Sequence, residues 1–82
     1  MIQLQIYENA VKCWYKDGII HRANGPAIES QNGYQDWYWH GKLHRKDGPA
    51  RLYPDGTVDY WINGKLLSEY ELMFLSNQVN TT

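Results

Sequence analysis

Apolar and polar residues alternate from the start of the chain, with Ile2, Leu4 and Ile6 on one side and Gln3 and Gln5 on the other. This period of two is that of a strand, expected over residues 2–7. The same alternation returns at 11–16, 34–39 and 57–62, each a predicted strand, and turn-forming residues separate them. Tyr53-Pro54-Asp55-Gly56-Thr57 suits a type I turn closed by a glycine bulge, and Gln31-Asn32-Gly33 repeats that chemistry without proline. Asp17-Gly18, His40-Gly41 and Asn63-Gly64 are two-residue signals for tight hairpins. A bulged turn at Gly56 sets Leu52 opposite Val58 and Arg51 opposite Asp59, an apolar pair and an ion pair on opposite faces. One face then collects Leu4, Ile6, Trp14, Ala27, Trp37, Trp39, Ala50, Leu52, Val58, Tyr60 and Ile62, and is expected inside. The other collects Tyr7, Tyr15, Ile28, Tyr34, Tyr38, Tyr53 and Trp61, with Asp36, Arg51 and Asp59.

The pattern is a repeat. Residues 14–36 (WYKDGIIHRANGPAIESQNGYQD) lie without a gap over residues 37–59 (WYWHGKLHRKDGPARLYPDGTVD), and Gly18, Gly41 and Gly64 fall 23 residues apart. A fixed period of this size marks units that bury their apolar faces against their neighbours. Residues 1–13 form half a unit, with 6–13 lying over 52–59, so that Ala10 falls on Gly56. Residues 60–67 are a partial unit. Between units comes His-Arg-x-(Asn/Asp)-Gly-Pro-Ala, at 21–27 and 44–50, a loop that steps the chain to the next hairpin. After Leu67 the pattern changes: Ser68-Glu69-Tyr70-Glu71 is a capping box, and a helix is predicted from about residue 69 to 77 as a lid within a capping segment 68–78. All 82 residues make one mainly β domain, an antiparallel β-meander of hairpin repeats with a short C-terminal helix.

Composition narrows the function classes. A chain of 82 residues holds one modest core, and twelve aromatic side chains supply much burial per residue. The net charge of −1 gives no general attraction to nucleic acid or anionic membranes. Cys13 is the only cysteine, which excludes an intrachain disulfide and suits a reducing compartment. No charged segment followed by an apolar run opens the chain, and no apolar stretch is long enough to span a membrane. The expectation is a small cytoplasmic protein.

The motif His40-Gly41-Lys42-Leu43-His44, followed by Tyr53-Pro54-Asp55-Gly56, resembles the MORN repeat, whose units have the same period, an NGK-x-H turn and a PDG turn. The resemblance covers residues 1–67. The chain departs from it in the longer His-Arg-Lys-Asp-Gly-Pro-Ala loop, so it looks like a MORN-like variant of the kind met in short bacterial and bacteriophage proteins. The resemblance implies a β-meander that binds proteins, sometimes lipids, and supplies no catalytic residues. Its most concrete implication is a phage- or bacteria-encoded inhibitor of a host enzyme such as a defence nuclease or a toxin, placed in the host cytoplasm.

Candidate chemistry is sparse. His21 and His44 occupy equivalent repeat positions, which points to a structural task shared by both units, and His40 with His44 spans a tight turn without metal-binding geometry. No metal or other cofactor is called for. Cys13 stands where the other units have Asp, with no His-Asp partner to activate it. Asp36 and Asp59 as paired acid–base groups are outweighed by repeat symmetry and by a cross-strand Arg51. The chain is therefore read as no enzyme. Tyrosine and tryptophan are favoured at interface hot spots, so Tyr15, Tyr34, Tyr38, Tyr53 and Trp61, with Arg51, Asp36 and Asp59, are the expected partner-binding residues. The partner would be another protein or a second copy of the chain. The alternative is nucleic-acid or anionic-lipid binding through Lys42, Arg45 and Lys46 beside the aromatic residues.

Overall fold

The computed structural model describes residues 1–68 and residue 71. Antiparallel pairing begins with β1 (Ile2–Ile6) and β2 (Lys12–Lys16), which place Ile2 opposite Lys16, Leu4 opposite Trp14 and Ile6 opposite Lys12. On its other edge β2 serves two neighbours. Tyr15 and Lys16 pair with β3 (Ile19–Ile20), while Lys12 and Cys13 pair with β4 (Ile28–Glu29). The later units follow the same path in shorter pieces: β5 (Gln35–Asp36), β6 (Tyr38–Trp39), β7 (Lys42–Leu43), β8 (Arg51–Leu52), β9 (Val58–Asp59), β10 (Trp61–Ile62) and β11 (Lys65–Leu66). The main sheet runs β1-β2-β4-β5-β8-β9 with β3 beside β2, and β6–β7 and β10–β11 form separate two-stranded hairpins.

The predicted strands 34–39 and 57–62 are thus each two short strands, broken at Trp37 and Tyr60. The break marks an exchange of neighbours. The Trp37 amide donates to the Ala50 carbonyl at 2.7 Å while its carbonyl accepts from His44 at 3.0 Å, and the Tyr60 carbonyl likewise accepts from Leu67 at 2.8 Å. Leu52 stands opposite Val58 and Arg51 opposite Asp59, as the bulged turn requires. In that turn the Gly56 amide donates to the Tyr53 carbonyl at 3.1 Å and Gly56 takes φ +89°. The tight hairpins put Asp17, His40 and Asn63 at φ +51°, +48° and +50°, each followed by a glycine at +81° to +84°, the geometry of a type I′ turn. In the half unit Ala10, at φ +61°, holds the position that Gly56 holds later.

Successive hairpins are tied by backbone bonds at two repeated positions: the Gly41 amide donates to the Ile20 carbonyl and the Gly64 amide to the Leu43 carbonyl, both at 2.8 Å, and the Arg22 amide to the Tyr38 carbonyl and the Arg45 amide to the Trp61 carbonyl, both at 3.2 Å. Ala27 and Ala50 are wholly buried. Each bridges three strands, donating to Asp36 or Asp59 and accepting from Trp14 or Trp37.

The face expected inside is covered only in part: Ala27 and Ala50 are buried and Trp14, Trp37, Leu52, Tyr60 and Ile62 half-buried. Leu4, Ile6, Trp39 and Val58 are exposed, whereas Cys13 and Asp36, in the row on the opposite face, are buried. The molecule measures 19 Å in its thin dimension against 45 and 30 Å. The loops contribute to burial, their arginines lying over Trp14 and Trp37. The expected helix 69–77 lies outside the described residues, but its capping box is present: the Glu71 amide donates to Ser68 Oγ at 3.2 Å and the Ser68 amide to Glu71 Oε1 at 3.1 Å.

Candidate functional site

The two His-Arg loops repeat the same histidine, arginine–indole and proline-carbonyl contacts, while the carboxylate partner differs, Glu29 for Arg22 and Asp47 for Arg45. His21 Nδ1 accepts from the His40 amide at 2.9 Å, and His44 Nδ1 accepts from the Asn63 amide at 3.0 Å. Each ring therefore carries its proton on Nε2 and fastens the tight turn of the following unit. His21 is buried, 4.5 Å from the Trp39 ring and 4.4 Å from that of His40. Burial, then the nearby His40 and Lys16 charges, hold its pKa below the ordinary 6.5. The guanidinium of Arg22 lies 3.8 Å over the Trp14 ring and that of Arg45 3.8 Å over the Trp37 ring. Both donate to a proline carbonyl, Arg22 to Pro26 at 3.1 Å and Arg45 to Pro49 at 3.2 Å. Gly25 and Gly48 close the other side: a Cβ added there would come within 3.0 Å of the guanidinium carbon. Arginine is thus sandwiched between an indole and a glycine, which explains both repeated residue types.

The main sheet lines up Cys13, Ile28, Asp36, Arg51 and Asp59 across one face. Asp36 sits between Ile28 and Arg51, and Arg51 Nε donates to its Oδ1 at 3.1 Å. Burial nevertheless raises the Asp36 pKa, against the lowering effect of Arg51. Burial is the largest influence on Arg51 and works against its charge, yet Asp36, Tyr53 and Tyr38 together outweigh it and the net shift is upward. Tyr53 donates its hydroxyl to Asp59 Oδ2 at 2.7 Å, which raises the tyrosine pKa, and packs edge-on against Tyr34 at 6.0 Å. Tyr38 is raised by burial and then by Asp36. Six of the eight expected partner-binding residues therefore form one neighbourhood: Asp36, Arg51, Asp59, Tyr34, Tyr38 and Tyr53.

Two fall apart from it. Tyr15 shares a hydroxyl–hydroxyl hydrogen bond of 3.0 Å with Tyr7 near the other end of the sheet, and that bond raises its pKa to about 12. Trp61 belongs to the β10–β11 hairpin, where its indole N–H is buried without an acceptor among the described residues. Cys13 is buried and its thiol is pushed up by burial, away from the reactive thiolate.

The basic patch also divides. Arg45 is committed to Trp37, Pro49 and Asp47, the last at 3.0 Å. Lys42 passes its stem beneath Gly64, and Lys46 is exposed. A cleft of about 390 Å³ opens between the two loops, lined by Arg22, Trp37, Tyr38, Trp39, Arg45 and Lys46 among others. Sequence reasoning missed the arginine–indole stacking, although the signal was there: Arg22 and Arg45 each follow a tryptophan by eight residues and precede a glycine by three.

No helix among the described residues is long and apolar enough to cross a membrane. No protein-family model matches this chain, and no match is found among curated proteins or solved structures.

Proposed function

We propose that the chain is a non-catalytic, MORN-like protein-binding module that acts by covering a surface on another protein. The observation that carries this reading is the fixed geometry of the Asp36–Arg51 and Tyr53–Asp59 pairs, with bonds of 3.1 and 2.7 Å, on a half-open face beside Tyr34 and Tyr38. Side chains already held in one rotamer lose little entropy on binding, and stiff aromatic residues beside a desolvated arginine form hot spots. In its most concrete form the module is a phage- or bacteria-encoded inhibitor that occludes a host enzyme, a defence nuclease or a toxin, in the cytoplasm. The experiment is co-purification from a bacterial lysate with wild type, Arg51→Glu and Tyr53→Ala side by side. A stoichiometric protein retained by wild type and lost from both variants supports the reading. Its absence at micromolar protein, or equal retention by all three, overturns it.

The cleft between the loops favours one second reading, an anionic polymer or lipid headgroup held by Lys46 and Arg22 over Trp37 and Tyr38. Against it, Arg22 already spends its guanidinium on Trp14, Pro26 and Glu29. Salt-dependent retention on heparin that disappears in Lys42→Ala/Lys46→Ala decides for this reading, and flow-through of wild type decides against it.

A further inference from the structure

We infer that β1 pairs, edge to edge and antiparallel, with β1 of a second copy of this chain, in a single register centred on Leu4. This surface is distinct from the tyrosine–carboxylate face, so the two proposals stand or fall separately.

β1 ends the main sheet, and among the described residues no strand pairs with its outer edge. Its backbone is set for a partner there. The Tyr7 amide donates to the Val11 carbonyl at 2.9 Å and the Asp17 amide to the Met1 carbonyl at 3.3 Å, so odd-numbered residues spend their backbone groups on β2. By the alternation of an antiparallel ladder, Ile2, Leu4 and Ile6 aim their N–H and C=O groups outward. None of the usual guards is present, for β1 has no lysine, proline or bulge.

The strand reads Ile-Gln-Leu-Gln-Ile, the same in both directions. Antiparallel pairing about Leu4 therefore sets Leu4 opposite Leu4, Ile2 opposite Ile6 and Gln3 opposite Gln5, so all three outward-facing positions form hydrogen-bonded pairs at once. Ile2, Leu4 and Ile6 are 54%, 48% and 55% exposed in the single chain. Pairing brings the six aliphatic side chains into one stripe flanked on both sides by Trp14, the cross-strand neighbour of Leu4. On the reverse face the glutamine amides meet their own kind and can donate and accept mutually. A shift by two residues keeps the ladder but leaves an isoleucine at each end without its pair.

Charge agrees with the arrangement. β1 carries none, and Lys12 and Lys16 stand one strand behind it. Across the joined sheet these lysines are three strand spacings apart, about 14 Å, beyond the screening length of about 10 Å. The antiparallel sense also turns the Glu8 end of one strand toward the Met1 end of the other, whose ammonium lies 3.0 Å from Asp17.

The test is mass by light scattering on the full chain as a function of concentration, with far-UV circular dichroism as the control for folding. Wild type is expected to be a dimer that dissociates on dilution. Leu4→Lys sets two ammonium groups face to face and is expected to be monomeric, and an equal mixture with Leu4→Glu is expected to recover the dimer mass. Leu4→Cys is expected to form a disulfide-linked dimer under mild oxidation, because facing Cα atoms in a hydrogen-bonded pair are about 5.5 Å apart. Gln3→Cys, opposite Gln5 of the second copy and beside Tyr15 in its own chain, is expected to resist linking, with wild type and its buried Cys13 as the blank. A monomer at about 100 µM, where even weak specific interfaces assemble, overturns the inference. So does a dimer that survives Leu4→Lys, or equal linking of the two cysteine variants.

Discussion

Replacing Gly48 by alanine isolates the arginine sandwich. Gly48 is not among the positive-φ residues, so alanine fits its backbone, and in open space it would stabilise by about 0.4–1 kcal/mol through the unfolded chain. Space is not open: the new Cβ would stand 3.0 Å from Arg45 Cζ and 3.2 Å from Nε. The guanidinium cannot drift away freely, because the Trp37 ring, the Asp47 carboxylate and the Pro49 carbonyl fix it on its other sides. Overpacking of this kind costs about 1–3 kcal/mol, so Gly48→Ala is expected to lose about 1–2 kcal/mol net. Arg45→Ala alone loses the cation–π contact and a hydrogen bond, about 2 kcal/mol together. Once Arg45 is alanine, nothing opposes the Cβ, and adding Gly48→Ala is expected to be neutral or to stabilise by up to about 1 kcal/mol. The sign thus reverses with background. Urea unfolding followed by tryptophan fluorescence and circular dichroism, with the m-value held constant, reads it directly. Gly25→Ala against Arg22, with the same 3.0 Å approach, supplies an internal replicate. An equal cost of Gly48→Ala in both backgrounds would refute the reasoning.

Other expected outcomes follow from the same geometry. Ala10→Gly should stabilise by about 0.5–1 kcal/mol, since an alanine at φ +61° carries a left-handed penalty of about 1–2 kcal/mol that glycine lacks, less the entropy glycine adds to the unfolded chain; thermal and urea midpoints check it. His21 binds its proton less readily folded than unfolded, so its contribution is present above the ordinary 6.5 and is lost as pH falls through the lower folded value. The urea midpoint should drop between pH 7.5 and 5.5, by at most about 1.4 kcal/mol per pH unit, and the slope should flatten in His21→Gln. Arg51→Ala strips a buried carboxylate of its partner and should cost about 1–3 kcal/mol at neutral pH. Because burial already raises the Asp36 pKa, that deficit should shrink on acidification as the carboxyl takes up a proton, and Asp36→Asn should restore most of it at neutral pH.

Register and turns were legible because they rest on local chemistry. Glycine at position 56 needs a bulge, the bulge sets Leu52 against Val58, and one pairing propagates through a 23-residue period. The inward face was not legible, since alternation separates two faces without saying which one a loop will cover. Leu4 and Ile6 are exposed on β1, the end strand of the main sheet, while Cys13 and Asp36, on the opposite face, are buried on inner strands. Strands 34–39 and 57–62 read as continuous because Trp37 and Tyr60 fit a strand locally. What breaks them is the demand of Ala50, His44 and Leu67 for their backbone groups, and such partners are distant in sequence. In the site, the register set Arg51 against Asp59 as an ion pair, but Arg51 Nε donates instead to Asp36 on the strand at its other edge, and Asp59 accepts from Tyr53. Nor was the burial of Asp36 legible, because it depends on Ile28 beside it.

The two full units make an internal comparison that separates scaffold from surface. Residue types identical in both, His21 and His44, Arg22 and Arg45, Gly25 and Gly48, Pro26 and Pro49, Ala27 and Ala50, each have a structural task performed twice with distances that agree within about 0.2 Å. Three successive positions that differ have no such shared task. Ile28 becomes Arg51, Glu29 becomes Leu52 and Ser30 becomes Tyr53, and these lie on β4, β8 and the turn after β8. The first unit folds with Ile28 and Ser30 at the matching positions. Arg51 and Tyr53 bring a guanidinium in contact with the buried Asp36 carboxylate and a hydroxyl bound to Asp59, neither of which has a counterpart in the first unit. The polar cluster thus stands on a sheet position where the neighbouring unit does without it, which is the placement the proposed partner-binding role calls for.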